Sequence, residues 1–220
     1  MEVLLIRHAD PDYANDCLTV IGKKQAQHLA ETLLQVPIEH IYVSPSGRAR
    51  ETCSFTANRK GIAPAVLDWL MERDITRDGM WLWEAPGEIF LRGSKGRIQN
   101  DPFDLDATLP EARQQYERVT KGFDGLMATY GYVRGGDLYH VQKASDERIV
   151  LFCHKGVILI LLADILHWPL PMIFVSLQIN PTGVTRLEMV ENDSLANFKA
   201  TVINDLTHLR ELSGATEGTK

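Results

Sequence analysis

The chain opens, at residues 3–9, with the stretch VLLIRHA, in which an apolar run ends directly in Arg7 and His8. A short, uninterrupted apolar run is typical of a β-strand that is buried on both faces of a sheet. The stretch RIVLFCHKG at residues 148–156 has the same design, because its apolar run ends in His154 and then enters a helical pattern. These two stretches predict two central strands, each with a histidine at its carboxyl end.

Outward from these stretches, strand-like and helix-like patterns alternate along the chain. Thr19 is placed to cap a helix whose inner face includes Leu29 and Leu33. The pair Gly135-Gly136 predicts a hairpin turn within residues 132–141. Further strands are predicted at 40–44, 65–70, 183–189 and 198–203, and further helices after residue 44, at 110–130 and at 156–166. The alternation predicts a single α/β domain with a largely parallel sheet.

Residues 74–110 differ from the rest of the chain because they contain several glycines and prolines and have no clean period. We interpret them as an irregular insertion over the sheet, and such insertions often act as functional lids. Four aromatic residues inside it indicate either an aromatic-lined mouth or a small core of the insertion itself. These residues are Trp81, Trp83, Phe90 and Phe103.

Composition excludes several classes of protein. The 220 residues carry a net charge of -6, which argues against a nucleic-acid binder and requires any anion site to be a local cluster of Arg and His. The longest apolar run, 157–163, is far too short to cross a membrane, and the N-terminus does not have the pattern of a secretory signal. The three cysteines form no CxxC pair and are expected to be free thiols in a reducing cytosol, so a cytoplasmic location is predicted.

Basic and imidazole side chains follow the predicted strands at the edge where parallel α/β sheets bind ligands. Arg7 and Arg48 can grip phosphate oxygens with paired, charge-assisted hydrogen bonds, whereas Arg50 faces another way on the same helix. A neutral His8 can attack phosphorus, and a second histidine can stabilise charge on the equatorial oxygens. A carboxyl group must protonate the leaving oxygen, and Glu72, at the end of the predicted strand over 65–70, is the best candidate.

Short blocks in a fixed order carry a family resemblance. They are LIRHA at 5–9, LTxxGxxQA at 18–26, SPxxRAxxT at 44–52, LxE at 70–72, FCHKGV at 152–157 and NxxGVT at 180–185. Together they resemble the histidine phosphatase superfamily, whose best-known branch includes cofactor-dependent phosphoglycerate mutases and many phosphatases. The resemblance implies a phosphoglycerate mutase-like, three-layer sandwich over residues 1–220, with an insertion or cap around 74–145 that shapes substrate choice. It also implies a phosphorylated nucleophile at His8, a proton donor at Glu72, a phosphoryl-binding set of Arg7, Arg48 and His154, and no metal.

The sequence departs from the family pattern in places. Ala9 stands where many members have glycine. The stretch RDITRDG at 73–79 lacks the glycine-containing continuation expected close behind Glu72, so Asp74 stays open as an alternative acid. The stretch DPDYAND at 10–16 lacks the asparagine-rich pattern of the glycolytic mutases, which favours a phosphatase over a mutase.

Other motifs fit their chemistry poorly. Cys53 and Arg59 have the spacing of cysteine-dependent phosphatases, but the residues between them continue a helix and contain no glycine. The stretch DLDAT at 104–108 imitates an aspartyl-phosphate motif without the apolar strand that should precede it. His8 and the following DPD at 10–12 lack the partner spacing of a metal site.

The sequence therefore predicts a metal-independent phosphoric monoester hydrolase of the histidine acid type, without a cofactor, that acts on a small phosphorylated substrate. A mutase that uses the same site, and a non-catalytic domain that only binds a phosphorylated ligand, remain alternatives. No membrane or nucleic-acid partner is expected, and the oligomeric state is left open.

Overall fold

The apolar runs of the sequence form strands in the computed structural model, which describes residues 1–77, 79–84, 101 and 104–210. The strands are β1 (Glu2–Arg7), β2 (Pro11–Asp12), β3 (Cys17–Leu18), β4 (His40–Val43), β5 (Ala65–Val66), β6 (Thr76–Arg77), β7 (Met80–Trp81), β8 (Tyr132–Gly135), β9 (Leu138–Val141), β10 (Arg148–Cys153), β11 (Val184–Asn192) and β12 (Leu195–Asp205). A single eight-stranded sheet runs in the order β5-β4-β10-β1-β11-β12-β9-β8, and β2–β3 and β6–β7 are separate two-stranded ribbons.

The sheet has a parallel half and an antiparallel half. From β5 to β1 every pairing is parallel, with Arg7 opposite Cys153 at the carboxyl ends of β1 and β10. From β1 to β8 every pairing is antiparallel, and two of these pairings, β11–β12 and β8–β9, are hairpins. The predicted α/β class is confirmed, and so is the hairpin turn, where Gly136 has a φ of 66°.

Helices cover both faces of the sheet and make the three layers that were predicted. They are α1 (Val20–Leu33), α2 (Gly47–Lys60), α3 (Leu105–Thr108), α4 (Arg113–Thr129), α5 (Lys155–Ile165) and α6 (Leu170–Ser176), with 3-10 turns at Asp68–Leu70, Leu82–Glu84, Pro110–Ala112 and Thr207–Leu209. Side chains alternate across a strand, so Leu4 and Ile6 of β1 pack against α1 and α2. Val3 and Leu5 join the opposite core with α4 and α5. None of the helices in the described ranges is long and apolar enough to cross a membrane.

The predicted strand over residues 65–70 is wrong beyond Val66. The chain leaves the sheet there and makes a 3-10 turn over Asp68–Leu70. Tertiary contacts explain the difference, because the Arg118 guanidinium of α4 binds the carbonyl of Asp68 at 2.7 Å and also that of Met71. Glu72 therefore follows a turn that α4 holds in place, and not the end of a strand.

The described part of the predicted insertion packs on the sheet domain. Trp83 is buried, stacks on Trp81 with ring centroids 4.9 Å apart, and meets Phe174 of α6 edge-on. These two tryptophans thus belong to the packing between the insertion and α6. The other two aromatic residues considered, Phe90 and Phe103, lie outside the described residues.

Candidate active site

Neighbouring parallel strands bring the two histidines together. The His8 amide donates to the Cys153 carbonyl at 2.9 Å, and the Ser44 amide donates to the Phe152 carbonyl at 2.9 Å. The residues that follow β1, β10 and β4 therefore meet at one edge of the sheet. The rings of His8 and His154 are both buried, and their centroids are 5.1 Å apart.

The hydrogen bonds of His8 define its tautomer. Its Nδ1 lies 2.8 Å from the carbonyl oxygen of Ala9, and because a carbonyl can only accept, Nδ1 carries the proton. The lone pair is consequently on Nε2, which accepts from Arg48 Nε at 3.3 Å. Burial, helped by the charges of Arg7 and Arg48, lowers the pKa of His8 to about 3, although the bond to Ala9 opposes the shift. His8 is therefore a neutral imidazole whose unprotonated nitrogen faces Arg48.

Arg48 is the centre of the cluster. Besides His8, its guanidinium contacts His154 Nδ1 at 3.2 Å and Asp16 Oδ1 at 2.7 Å. Asp16 also accepts from the Gly47 amide at 2.6 Å, so the carboxylate ties the start of α2 to the loop after β2. Although desolvation opposes it, these donors hold the pKa of Asp16 below its ordinary value. Arg50, the competing candidate, is exposed and is not part of the cluster.

Two nitrogen atoms of the Arg7 guanidinium, Nη1 and Nε, differ in their hydrogen bonding. Its Nη1 donates to the Ile179 carbonyl at 2.6 Å, which fixes the guanidinium. Its Nε is buried and has no hydrogen-bond partner within the described residues. A buried donor without a partner costs about 1–3 kcal/mol. An anionic oxygen bound here would remove that cost.

His154 is oriented by two hydroxyl groups. Its Nε2 lies 2.8 Å from Ser44 Oγ and 3.2 Å from Ser46 Oγ. Since Arg48 can only donate, Nδ1 of His154 accepts and the proton is on Nε2 in this state. Burial, followed by the charges around it, places the pKa of His154 well below its ordinary value.

Glu72 is the carboxyl group that lies against this cluster. Its Oε1 accepts from the Gly156 amide at 2.7 Å in the first turn of α5, and its Oε2 lies 3.9 Å from His154 Nδ1. The side chain is only 9% exposed. Burial raises the pKa of Glu72, while the Gly156 amide and nearby cations oppose the shift. Asp74, the alternative acid, is exposed.

The structure places the competing motifs away from this chemistry. Burial raises the pKa of the Cys53 thiol to about 12, and Arg59 binds Glu31 on the helical surface, so no thiolate site forms there. Asp106 binds Arg113 on the surface. Among the described residues, no group of three or more His, Cys, Asp or Glu side chains is arranged to hold a metal ion.

Sequence reasoning missed Asp16, Tyr13 and the hydroxyl groups of Ser44 and Ser46 as partners of the site. Asp16 lies 32 positions before Arg48, and no motif of the sequence marked it. Tyr13 lies beside the site, with the Arg48 guanidinium 5.4 Å from its ring centroid. Ser46 was inside the quoted SPxxRA block but was not assigned a role. Asp16 and Tyr13 lie in the loop between β1 and α1, and no local pattern of the sequence shows that this loop returns to the strand ends.

The buried histidines should make stability depend on pH. A histidine with a pKa of about 3 when folded and 6.5 when unfolded binds more protons in the unfolded chain between those values. The stability that depends on the neutral ring is present above pH 6.5 and is lost as the pH falls. We expect His8 alone to lower the free energy of unfolding by about 2 kcal/mol between pH 6.5 and pH 5. Urea unfolding at both pH values measures this, and an equal pH dependence in wild type and His8→Ala would contradict it.

Known proteins that are similar to this chain include several that are named phosphatases. A relative named putative phosphoserine phosphatase 2, from Hydrogenobacter thermophilus, is 22% identical, with 95% of this chain and 98% of that protein covered. The crystal structure of a phosphoserine phosphatase from Entamoeba histolytica, in complex with 3-phosphoglyceric acid, has a TM-score of 0.65 at 16% identity, with coverages of 94% and 98%. A mycobacterial glucosyl-3-phosphoglycerate phosphatase has a TM-score of 0.61 at 20% identity, with coverages of 92% and 98%.

The family model confirms the relationship that the motifs predicted. The model of the histidine phosphatase superfamily (branch 1) matches residues 3–199, which include every residue of the cluster described above. The solved structures, at this low identity, add the fold. Phosphomonoester hydrolysis by a histidine-based site is the function that these comparisons support. The chain belongs to the histidine phosphatase superfamily (branch 1).

Proposed function

We propose that this protein hydrolyses a small phosphomonoester through a phosphohistidine on His8, without a metal ion. One observation carries the proposal: the Arg48 guanidinium spans the 5.1 Å between the two buried histidine rings and touches both lone pairs. A phosphoryl group bound to that guanidinium would lie within reach of His8 Nε2. Arg7 Nε supplies the further buried donor that a phosphoryl oxygen needs.

In the first step, binding of the ester draws Arg48 from His8 to the phosphoryl oxygens, while Asp16 keeps hold of its Nη1. The freed lone pair of Nε2 forms a bond to phosphorus, and the bond from phosphorus to the leaving oxygen breaks. The electron pair departs with that oxygen, which takes the proton of Glu72. The Ala9 carbonyl, which accepts from Nδ1, stabilises the positive charge that forms on the imidazole.

In the second step, the ionised Glu72 removes a proton from water as the water oxygen bonds to phosphorus. The bond between phosphorus and nitrogen breaks, its electron pair returns to His8, and phosphate leaves. Glu72 is thereby protonated again, which its raised pKa favours. His154 must present a proton on Nδ1 to a phosphoryl oxygen during these steps. The hydroxyls of Ser44 and Ser46 can reverse and donate to its Nε2, which permits that tautomer.

The proposal extends to the organisation of the chain. We propose one domain with an insertion around residues 74–145 that shapes substrate choice. Support comes from α4 and the β8–β9 hairpin, which share the core and the sheet of the remaining chain. We also propose a cytoplasmic location. The free thiols of Cys17, Cys53 and Cys153 support it, because the cytoplasm is a reducing environment.

Release of phosphate tests the proposed reaction. Wild-type protein is expected to release inorganic phosphate from p-nitrophenyl phosphate and from members of a metabolite panel at rates that EDTA does not change. Loss of activity in EDTA would contradict metal independence. An isomerised product without free phosphate would identify a mutase, and binding without turnover would identify a non-catalytic domain. The three similar proteins described above are each named a phosphatase, which supports hydrolysis as the reaction.

A further inference from the structure

The peptide group between Ile179 and Asn180 is hydrogen-bonded on both sides. Its carbonyl, that of Ile179, accepts from Arg7 Nη1 at 2.6 Å, and its N–H, that of Asn180, donates to Asn204 Oδ1 at 2.8 Å. Because a peptide group is planar and trans, its C=O and N–H point in opposite directions and turn together. The hydrogen bond to Asn204 therefore fixes the direction in which the Ile179 carbonyl meets Arg7.

The orientation of the Arg7 guanidinium matters because one of its donors is still available. Its Nε is buried and has no hydrogen-bond partner in the part of the chain that the structure describes. A guanidinium is planar and rigid, so the hydrogen bond at Nη1 also determines where Nε points. In the proposed reaction this Nε binds a phosphoryl oxygen. The Asn204 side chain thus acts on a donor of the phosphoryl site through a single peptide group.

The turn that contains this peptide also holds the backbone at the end of β1. The Thr182 amide donates to the Arg7 carbonyl at 3.1 Å, and the Arg7 amide donates to the Gly183 carbonyl at 3.4 Å. Thr182 is fully buried and has a φ of 58°, which is rare for a residue with a branched side chain. Such a backbone conformation persists only where the surrounding structure requires it, and it is found most often at functional sites. The turn over residues 179–183 therefore supports both the backbone and the side chain of Arg7.

A bulge in β12 directs Asn204 toward this turn. Between Val184 and Arg186 the register of the β11–β12 pairing shifts, which leaves one extra residue in β12. Asn204 lies in the bulge with a φ of 57°, a left-handed conformation that asparagine tolerates better than most residues. Its side chain fits closely, because a Cβ at Gly183 would lie 2.1 Å from Asn204 Oδ1. Bulges of this kind re-aim side chains and are common beside active sites.

On the basis of the proposed phosphatase function, we propose that Asn204 is a positioning residue, which aims Nε of Arg7 at the phosphoryl group through the Ile179–Asn180 peptide. Asn204 acts without touching the substrate. It prevents the Ile179 carbonyl from turning away, and so prevents the guanidinium from following it. Loss of the Asn204 oxygen should therefore weaken binding of the phosphoryl group itself, whichever alcohol that group is attached to.

Substitutions at position 204 separate the side-chain oxygen from the backbone conformation. Asn204→Gly keeps the left-handed φ accessible and removes the acceptor, whereas Asn204→Asp keeps both. Asp193→Gly is the matched control, because it makes the same change at another left-handed residue, with a φ of 53°, in the exposed turn between β11 and β12. The measured quantities are the Kd for inorganic phosphate, by calorimetry, and kcat and KM for p-nitrophenyl phosphate. A thermal melt establishes which variants are folded.

We expect Asn204→Gly to raise the Kd for phosphate and KM by roughly tenfold each, as weakening of one charge-assisted hydrogen bond should. The change in kcat should be smaller, because Arg7 grips the phosphoryl group before the reaction as well as during it. Asn204→Asp should stay within a few-fold of wild type, and Asp193→Gly should change neither constant. In an Arg7→Met background Asn204→Gly should have no further effect, since no guanidinium remains to be aimed. An unchanged Kd in a folded Asn204→Gly protein, or an equal rise in the Arg7→Met background, would overturn the proposal.

Gly183→Ala tests the same contact if Asn204→Gly does not fold, because the added methyl group displaces the Asn204 oxygen. It should raise the Kd for phosphate by a similar factor, and a folded Gly183→Ala protein with the wild-type Kd would also overturn the proposal. Phosphate binding without turnover in the wild type is a different result, since it contradicts the proposed hydrolysis while the Kd values still decide the role of Asn204. A wild-type protein that does not bind phosphate would contradict both.

Discussion

Replacement of His8 with alanine is expected to lower kcat by at least about a thousandfold, because it removes the nucleophile and leaves only binding and charge stabilisation. His8 is neutral, its Nδ1 is fixed by Ala9, and its Nε2 faces Arg48. Steady-state phosphate release from p-nitrophenyl phosphate measures the effect.

The matched control for this variant is His140→Ala, which removes an exposed histidine of β9. It should retain wild-type turnover. Far-UV circular dichroism and a thermal melt should show that His8→Ala keeps the native fold, because a small cavity at a strand end does not disrupt the sheet. A folded His8→Ala protein with turnover near that of wild type would remove His8 from the mechanism.

Replacement of Glu72 with glutamine is expected to lower kcat by roughly a hundred- to ten-thousandfold, the range for loss of a general acid and base. The loss should be smaller for p-nitrophenyl phosphate, whose leaving group needs little protonation, than for an alkyl phosphate. Asp74→Asn, two positions away and exposed, is the matched control and should retain turnover. The opposite result, an active Glu72→Gln and an inactive Asp74→Asn, would assign the acid to Asp74.

The Glu72 variant should separate activity from stability. Burial raises the pKa of Glu72 in the folded protein, so its contribution to stability is present below the unfolded pKa and is lost as pH rises through the folded pKa. Glutamine cannot ionise, and the variant should therefore be at least as stable as wild type at pH 8. Urea unfolding of both proteins at that pH would reveal a variant that is inactive because it is unfolded.

Much of the fold could be predicted from local patterns. The apolar runs of β1 and β10 are recognisable because both faces of these strands are buried. Thr19 caps α1, accepting from the Gly22 amide at 3.0 Å, as its position before an amphipathic run indicated. The direction of the tail strands was not predictable, since an apolar alternation does not show which neighbour a strand pairs with. The turn at Asp68–Leu70 depends on α4, about 50 positions later in the chain, and local patterns cannot show such a contact.

The candidate site was likewise only partly predictable from the sequence. Arg7, His8 and His154 were recognisable because Arg7 ends a strand, the two histidines directly follow strands, and all three lie in recurrent blocks. Asp16 was not, because only the folded chain brings it to Arg48 and to the Gly47 amide.

The central claim is that Nε2 of His8 forms a covalent bond to the phosphoryl group. Rapid acid-free denaturation during turnover of a phosphate ester, followed by proteolysis and mass spectrometry at alkaline pH, tests it directly. We expect an acid-labile, base-stable phosphoryl group on the peptide that contains His8 in the wild-type protein, at higher occupancy in Glu72→Gln and absent from His8→Ala. Turnover with no phosphoryl group on that peptide, or with one on another residue, would contradict the account.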